Sequence, residues 1–170
     1  MNYKKLIREV PNFPKPGILF YDITTLLKDR LAFRSIIGDL TALYRNRNVS
    51  KVVGIESRGF ILGAALAHQL NAGFVPVRRP GKLPADIFEV KYNLEYGSNS
   101  LAVHRDAISM GERVLIVDDL LATGGTAAAT VNLVRQLGGE IVGLAFLVEL
   151  SSLKGREQLD GCEVQALIQY

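Results

Sequence analysis

The sequence predicts an α/β fold in which an open, mainly parallel twisted sheet is flanked by helices. From residue 29 onward, helix-like and strand-like segments alternate, as expected for parallel strands joined by helical crossovers. The segment RVLIVDDL at 113–120 is apolar through most of its length, which is typical of a central strand covered on both faces. The chain has 170 residues, so we expect one domain over residues 1–170 with a sizeable core.

Residues 1–28 precede this alternation and are predicted to form a distinct N-terminal segment. Leu6, Ile7 and Val10 stand at helical spacing, which favours a helix within residues 2–10. The prolines of PNFPKPG forbid a continuous helix beyond that point, so we expect an ordered connection that leads into the apolar run ILF.

The next elements follow from hydrophobic spacing and from turn residues. A strong helix is predicted for residues 29–48, because apolar residues recur there every three or four positions. The segment KVVGIE at 51–56 reads as a strand, and residues 59–70 read as a helix rich in small residues. Asn71 and Gly73 end that helix, and GFVPVR at 73–78 makes the next strand.

The pattern changes between residues 79 and 104, which we interpret as a basic loop followed by a hairpin. RRPGKLP is basic and rich in turn residues, and the segments at 86–97 and 100–104 could pair as two strands. The alternation of strand-like and helix-like segments then resumes. It predicts a strand at 113–120, a helix at 125–137, a strand at 140–150, a helical segment at 151–159 and a last strand at 163–170.

Composition narrows the classes of function. The net charge of +3 fits a solvated surface with a few extra cations, or a site for an anionic small molecule. No long basic run or recognition motif indicates nucleic acid, and no stretch approaches the length of a membrane span. The lone cysteine, Cys162, and the absence of a signal sequence predict a cytoplasmic protein. His68 and His104 are far apart with no cysteine nearby, so a zinc site is not expected.

The stretch VLIVDDLLATGGT carries the strongest chemical signal. Asp118 and Asp119 fall at the carboxyl end of a buried strand, where ligands of open α/β sheets bind. The turn at 123–126 then opens a helix, and its glycines allow an anion to approach the backbone N–H groups. Taken alone, the turn would be interpreted first as a tight connection with an N-capping threonine. The acid pair favours a ligand with hydroxyl groups and a hydrated Mg²⁺ ion beside the phosphate.

This stretch is similar to the signature of the type I phosphoribosyltransferases. The resemblance implies that family's fold and its donor, 5-phosphoribosyl 1-pyrophosphate (PRPP). It places Asp118 and Asp119 at the ribose hydroxyls. It also implies Mg²⁺ as a cofactor, held mainly by PRPP or pyrophosphate and by water, with no direct protein ligand. The residues that it assigns to the 5′-phosphate are Ala122, Thr123, Gly124, Gly125 and Thr126.

Further stretches resemble the members of that family that use adenine. They are FPKPGILFYDIT, GIESRGFILG, FVPVRRPGKLP, NLEYGSNSL and SSLKGREQL. The resemblance implies a purine salvage reaction in which adenine and PRPP give AMP and pyrophosphate through an oxocarbenium-like transition state. It also implies a homodimer.

The same resemblance implies a pyrophosphate site at Ser57 and Arg58, with a cis peptide at Glu56–Ser57 or Ser57–Arg58. Without that context, Arg58 would read as a surface arginine after a strand. Arg78 and Lys82 would clamp the leaving pyrophosphate, although a solvated basic loop is the default interpretation for such residues. Arg79 stands where many relatives carry lysine, which leaves its role open.

The base would be held by two further segments. Leu19 and Phe20 would belong to an N-terminal hood that sandwiches the purine, and some relatives carry arginine where this chain has Tyr21. Residues 79–104 would form the basic loop and a lid hairpin. On that lid, Glu95 would exchange a proton at N7 of adenine as the catalytic acid, and Tyr96 would line the site. Glu95 could otherwise be a solvated strand residue.

Two alternatives remain open at this point. One is a phosphoribosyltransferase for another purine, such as xanthine. The other is a non-catalytic regulator that senses PRPP or a nucleotide; such a protein should add a DNA-binding domain, for which we expect no room in this chain.

Overall fold

The structure, a computed structural model, describes the backbone of residues 1–94 and 97–170 and the side chains of residues 1–92 and 99–170. Glu95 and Tyr96, the predicted lid residues, therefore lie outside the described residues. The chain forms two compact units, Met1–Asp39 and Leu40–Tyr170.

The first unit contains a small antiparallel ribbon and two helices. A 3-10 turn, Tyr3–Leu6, leads into strand β1, Arg8–Pro11, which pairs with β2, Leu19–Asp22. Helix α1, Thr24–Leu27, follows, and then α2, Arg30–Tyr44, begins. The helix expected within residues 2–10 is wrong beyond its first turn, because the backbone pairing of Val10 with Phe20 overrides the local spacing.

Side-chain bonds hold the first unit together. The buried Tyr3 hydroxyl bonds to Ser35, at 2.7 Å, and to Asp39, and burial raises the pKa of Tyr3. The Thr25 hydroxyl donates to the Leu6 carbonyl at 2.6 Å. The Asp29 carboxylate accepts from the backbone N–H groups of residues 31 and 32, which is the bonding expected of a helix N-cap and explains why α2 begins there.

The second unit is built on a five-stranded parallel sheet, as the sequence predicts. In sheet order the strands are β4 (Gly73–Val77), β3 (Lys51–Ile55), β7 (Arg113–Leu121), β8 (Glu140–Glu149) and β9 (Val164–Gln169). Most of β7 and β8 is buried, which accounts for their nearly continuous apolar sequences.

Two helices of this unit link consecutive strands. Helix α3, Arg58–Leu70, packs on β3 and β7, and α4, Gly125–Gln136, contacts β7 and β8. Asn71 ends α3 in the left-handed conformation (φ 55°), and Gly138 adopts φ 83° after α4. The predicted helix end at Asn71 is therefore confirmed, and the glycine after residue 137 accounts for the end of α4.

The predicted hairpin is present as strands β5, Ile87–Leu94, and β6, Gly97–His104, paired in antiparallel register. Arg78 exchanges two backbone hydrogen bonds with Ala102, of 3.0 and 2.7 Å, which attach β6 to the end of β4. β5 also packs on α4. Among the described residues, no helix is both long and apolar enough to cross a bilayer.

The segment at 151–159 is not the continuous helix that its sequence suggests. It forms two 3-10 turns, Ser151–Leu153 and Gly155–Gln158, separated by Lys154. Lys154 has a φ of 53°, in the left-handed region, so the helical path is broken at that residue.

Tyr44 offers a direct test of the packing of the second unit. Its side chain is 1% exposed, and its hydroxyl donates to the Leu144 carbonyl at 3.2 Å. Burial raises the pKa of this hydroxyl. We expect Tyr44→Phe to lower the free energy of unfolding by about 1 kcal/mol, the usual net contribution of one such bond. Tyr44→Leu, which also removes ring contacts, should lower it more. Urea unfolding measures both, and equal stabilities of Tyr44→Phe and wild type would contradict the expectation.

Candidate active site

The candidate site lies at the carboxyl edge of the parallel sheet. β3 and β7 are neighbours and run in the same direction, so the residues after β3 meet the end of β7. A cavity of about 380 Å³ opens at this edge. It is lined by Ile55, Glu56, Ser57, Arg58, Asp118, Asp119, Leu120, Leu121, Ala122, Thr123, Gly124, Gly125, Thr126, Ala127 and Phe146.

The acid pair belongs to β7, which continues to Leu121. Asp119 is 6% exposed, and its Oδ2 lies 2.6 Å from Arg58 Nε, so the buried carboxylate has its own cation. Asp118 Oδ1 accepts the Asp119 backbone N–H at 2.9 Å. Burial, and then the neighbouring Asp119 charge, raise the pKa of Asp118 well above its ordinary value. The pair therefore retains a proton more readily than two exposed carboxylates would.

Gly59 allows the first turn of α3 to lie against the acid pair. A Cβ at this position would come within 2.8 Å of Asp118 Oδ1 and 2.9 Å of the Val117 carbonyl oxygen. Any larger residue would force α3 away from β7. The glycine is therefore part of the site, although its sequence context did not single it out.

At the glycine turn, α4 begins without a side-chain cap. Gly124 is the N-cap residue, in the left-handed conformation with φ 89°, and it makes no side-chain capping bond. The interpretation of this turn as a connection with an N-capping threonine is therefore wrong. The N–H groups of the first turn of α4 stand at one wall of the cavity, as an anion-binding helix start requires.

A second cavity, of about 360 Å³, adjoins the first and shares Ile55, Glu56, Ser57 and Thr126 with it. Its further lining residues are Arg79, Lys82, Tyr92, Asn99 and Leu101. Arg79, whose role the sequence leaves open, therefore faces the same space as Lys82. Tyr92, on β5, lies with its hydroxyl 3.2 Å from the Thr126 hydroxyl, so the hairpin contacts the start of α4.

Glu56 organises the basic loop. Its backbone N–H donates to the Val77 carbonyl at 2.9 Å, which sets it beside the end of β4. Its Oε1 accepts from Arg78 Nη2 and from Lys82 Nζ, each at 2.9 Å, and Arg78 Nη1 donates to the Lys82 carbonyl at 3.0 Å. The Arg78 hydrogen bond is the main reason that the pKa of Glu56 is lowered to about 2.

The peptide bond between Glu56 and Ser57 is cis, as predicted for one of the two bonds at this position. Ser57, Arg58, Asp118, Asp119 and residues 122–126 meet around the first cavity. Lys82 lines the second cavity, and Arg78 reaches this region through Glu56. Leu19 and Phe20 lie on β2, in the other unit.

Glu56 and Tyr92 were missed as site residues. The position of Glu56 at the end of a buried strand, directly before Ser57, is a signal that could have found it. Nothing local distinguishes Tyr92 from the other apolar residues of the hairpin. Within the described part of the chain, no cluster of three acidic, histidine or cysteine residues could hold a metal ion.

Comparison with known proteins agrees with this geometry. The phosphoribosyl transferase domain model matches residues 23–167. The adenine phosphoribosyltransferase of Acidobacterium capsulatum is 63% identical over 98% of this chain and 92% of its own length. The chain belongs to the adenine phosphoribosyltransferase family.

Solved structures of the family share the fold. The adenine phosphoribosyltransferase from Thermoanaerobacter pseudethanolicus is 50% identical and superposes with a TM-score of 0.96, covering 99% of this chain and 98% of its own. The Saccharomyces cerevisiae enzyme, solved with an imino-altritol bisphosphate and adenine, is 41% identical with a TM-score of 0.92 and covers 97% and 96% of the two chains. The predicted fold class and family are thereby confirmed.

The lowered pKa of Glu56 predicts a pH-dependent contribution to stability. Because its folded-state pKa is about 2, below the ordinary 4.5, the stabilisation is present above pH 4.5 and is lost as the pH falls towards 2. We expect Glu56→Gln to be less stable than wild type at pH 7, with a difference that shrinks below pH 4.5. Urea unfolding at a series of pH values measures this.

Glu89→Gln, a change at an exposed acid on β5, is the control for this experiment. Its stability should follow that of wild type across the series. A difference between Glu56→Gln and wild type that stays constant from pH 7 to about 2 would contradict the assignment of the Glu56 ion pairs.

Proposed function

We propose that the residues around the two cavities carry out the phosphoribosyl transfer of this family. The chain converts adenine and PRPP to AMP and pyrophosphate in purine salvage. The observation that carries the residue assignment is that one cavity is lined both by the acid pair of β7 and by the backbone start of α4. A donor with hydroxyl groups at one end and a phosphate at the other matches that arrangement.

In this proposal, residues 122–126 bind the 5′-phosphate of PRPP. Ala122 has a small side chain and Gly125 has none, so the N–H groups of the turn remain accessible. The partial positive charge of the α4 N-terminus favours an anion. The hydroxyls of Thr123 and Thr126 add donors. No lysine is required at this position, because the backbone supplies most of the hydrogen bonds.

Asp118 and Asp119 act on the ribose. Their carboxylates accept hydrogen bonds from the 2′- and 3′-hydroxyls, and their negative field favours the positive charge that develops on the sugar as the bond to pyrophosphate loosens. Asp119 lies 2.6 Å from Arg58 Nε, and this contact holds its carboxyl group in place at the edge of the sheet. The acids act through hydroxyls and field and make no covalent bond to the sugar.

Ser57, Arg58, Arg78 and Lys82 hold the leaving pyrophosphate. Lys82 is about half exposed while its ammonium contacts Glu56, so it can also reach an anion in the second cavity. Glu56 keeps Lys82 and Arg78 together, and negative charge that builds on the departing group meets cations already in position.

Mg²⁺ accompanies the diphosphate in this proposal. The donors near the site fit that role: Asp119 is engaged by Arg58, so the carboxylates offer no complete set of ligands, and the ion would be held chiefly by PRPP oxygens and water. When bound, Mg²⁺ neutralises charge on the leaving pyrophosphate.

Leu19 and Phe20 would pack on the two faces of adenine, with backbone groups of the hood reading its edge. Tyr21 follows them on β2, and no side-chain role is assigned to it. Glu95, close to N7, would exchange a proton there: its carboxylate accepts the proton that leaves N7 as N9 attacks C1′. Tyr96 would pack on the lid or contact the reaction centre. A carbonyl aimed at the 6-amino group would reject a 6-oxo purine by leaving buried groups mispaired.

Assembly and location are the remaining proposals. We propose a homodimer, which light scattering on the purified chain would test, and a cytoplasmic location. A preference for another purine would appear as turnover of xanthine, hypoxanthine or guanine in a competition assay with adenine. A regulator would bind PRPP without forming AMP.

The acid pair is tested by Asp118→Asn. Asparagine replaces one carboxyl oxygen with an amide N–H donor, which cannot accept from a ribose hydroxyl. A hydrogen bond lost in this way costs roughly 1–3 kcal/mol, so kcat/KM for PRPP should fall about 5- to 100-fold. The KM for adenine should change little. Steady-state kinetics of AMP formation measure both, and Asp160→Asn, a change at an exposed acid in the tail, is the control. An unchanged kcat/KM for PRPP would remove Asp118 from the donor site.

Glu95 is tested by Glu95→Ala. Loss of a group that exchanges a proton with the substrate typically costs about 10²- to 10⁴-fold, so kcat should fall in that range with only a modest change in the KM for PRPP. The pH profile of kcat should also lose one limb. Glu89→Ala, on the same hairpin, should keep wild-type kcat. A Glu95→Ala variant with full kcat would exclude the residue from the chemistry.

A further inference from the structure

The segment between β8 and β9, residues 150–163, is called the tail here. It lies directly against the glycine turn at 122–126. Gly155 is buried, and a Cβ added to it would overlap the Ala122 carbonyl oxygen and lie 3.1 Å from the Gly124 backbone nitrogen. Conversely, a Cβ on Gly124 would overlap the Gly155 carbonyl oxygen. Two backbones therefore meet here at a distance that only glycine permits on both sides.

An ion pair between the buried Glu149 and the partly exposed Arg156 holds the tail in this place. Glu149, the last residue of β8, is 5% exposed and pairs in register with Leu121, where β7 ends. Arg156 donates to both oxygens of Glu149, from Nε and Nη2, each at 2.7 Å, and from Nη1 to the Val164 carbonyl at 2.8 Å. Gln169 adds a bond of 3.2 Å to Glu149. This fork fixes the residue that follows Gly155.

Among the described residues, the further hydrogen bonds of this ion pair go to Val164 and Gln169, which have no assigned part in the chemistry. The pair is weak evidence for added stability, because desolvation of Glu149 opposes its attraction to Arg156. Its structural effect is positional: through Arg156 it sets Gly155 against Ala122 and Gly124. Most residues of the turn at 122–126 have small side chains, so the turn makes few contacts that could hold it in one conformation. The contact with the tail supplies this constraint.

We propose that Glu149, Gly155 and Arg156 are positioning residues for the turn at 122–126. They keep its N–H groups in the orientation that receives a phosphate, without touching the substrate. The inference rests on the proposed role of this turn in binding the 5′-phosphate of PRPP. Since the orientation of the turn affects binding of the phosphate more than proton transfer to the base, the effect should fall on PRPP and not on adenine.

Gly155→Ala tests the contact. We expect the KM for PRPP to rise at least tenfold and the Kd of ribose 5-phosphate, measured by calorimetry, to rise by a similar factor. The KM for adenine should stay within about threefold of wild type, because a KM that rises for one substrate alone reflects lost binding of that substrate. Rescue of activity at saturating PRPP is expected.

Gly161→Ala is the matched control. Gly161 lies in the same tail and has a φ of 74°, so a side chain there strains the backbone, but a Cβ would meet open space. This variant should lower Tm without changing the Kd of ribose 5-phosphate. If Gly155→Ala and Gly161→Ala weaken phosphate binding equally, general destabilisation of the tail explains the effect and the inference is wrong.

Arg156→Lys and Glu149→Gln keep the inference testable if Gly155→Ala does not fold. Each preserves most of the side-chain volume and removes the two-point fork. We expect both to raise the Kd of ribose 5-phosphate several-fold at a temperature well below their Tm. Wild-type affinity in both folded variants would overturn the inference.

Thr123→Val separates this inference from the function on which it rests. If wild type binds ribose 5-phosphate and Thr123→Val weakens that binding, the turn is the phosphate site, and wild-type affinity in the tail variants then overturns the positioning role alone. If wild type binds ribose 5-phosphate and Thr123→Val and the tail variants all leave its affinity unchanged, the proposed role of the turn fails and the inference fails with it.

Discussion

The parallel pairing of β3 with β7 is the constraint on which the rest of the site depends. Because the two strands are neighbours and run in the same direction, Arg58 arrives beside Asp119 although the two residues are far apart in sequence. Gly59 makes the approach sterically possible, since a side chain there would collide with Asp118 and with the β7 backbone. The site is therefore a property of the sheet edge and not of any single loop.

The site separates its charges so that acids and an anionic substrate can share a small volume. Asp119 has Arg58 within 2.6 Å, and Glu56 has Arg78 and Lys82 within 2.9 Å. Each of these two carboxylates therefore interacts first with a cation that follows a neighbouring strand. The start of α4 carries no acidic residue in its first turn, which leaves its N–H groups to interact with an anion.

Contacts from other segments constrain the conformation of the glycine turn. The backbone of Gly155, in the tail, packs against it, and the Tyr92 hydroxyl, on the hairpin, lies 3.2 Å from the Thr126 hydroxyl. A turn made of small residues can approach a phosphate closely, but it has few contacts of its own to specify one geometry. Segments distant in sequence supply these contacts, so the proposed donor site depends on the packing of β8 and the tail.

Hydrophobic spacing and turn chemistry are local properties, so the sequence by itself determined the alternation of helices and strands, the acid pair and the glycine turn that opens α4. It did not determine partners that strand pairing brings together, and Glu56 and Tyr92 were therefore missed. The tail is a further example. Its sequence predicts a helix, but the left-handed conformation of Lys154 and the Arg156–Glu149 ion pair accompany two separate 3-10 turns instead. Only the tertiary structure decided these contacts, because their energy comes from residues that are distant along the chain.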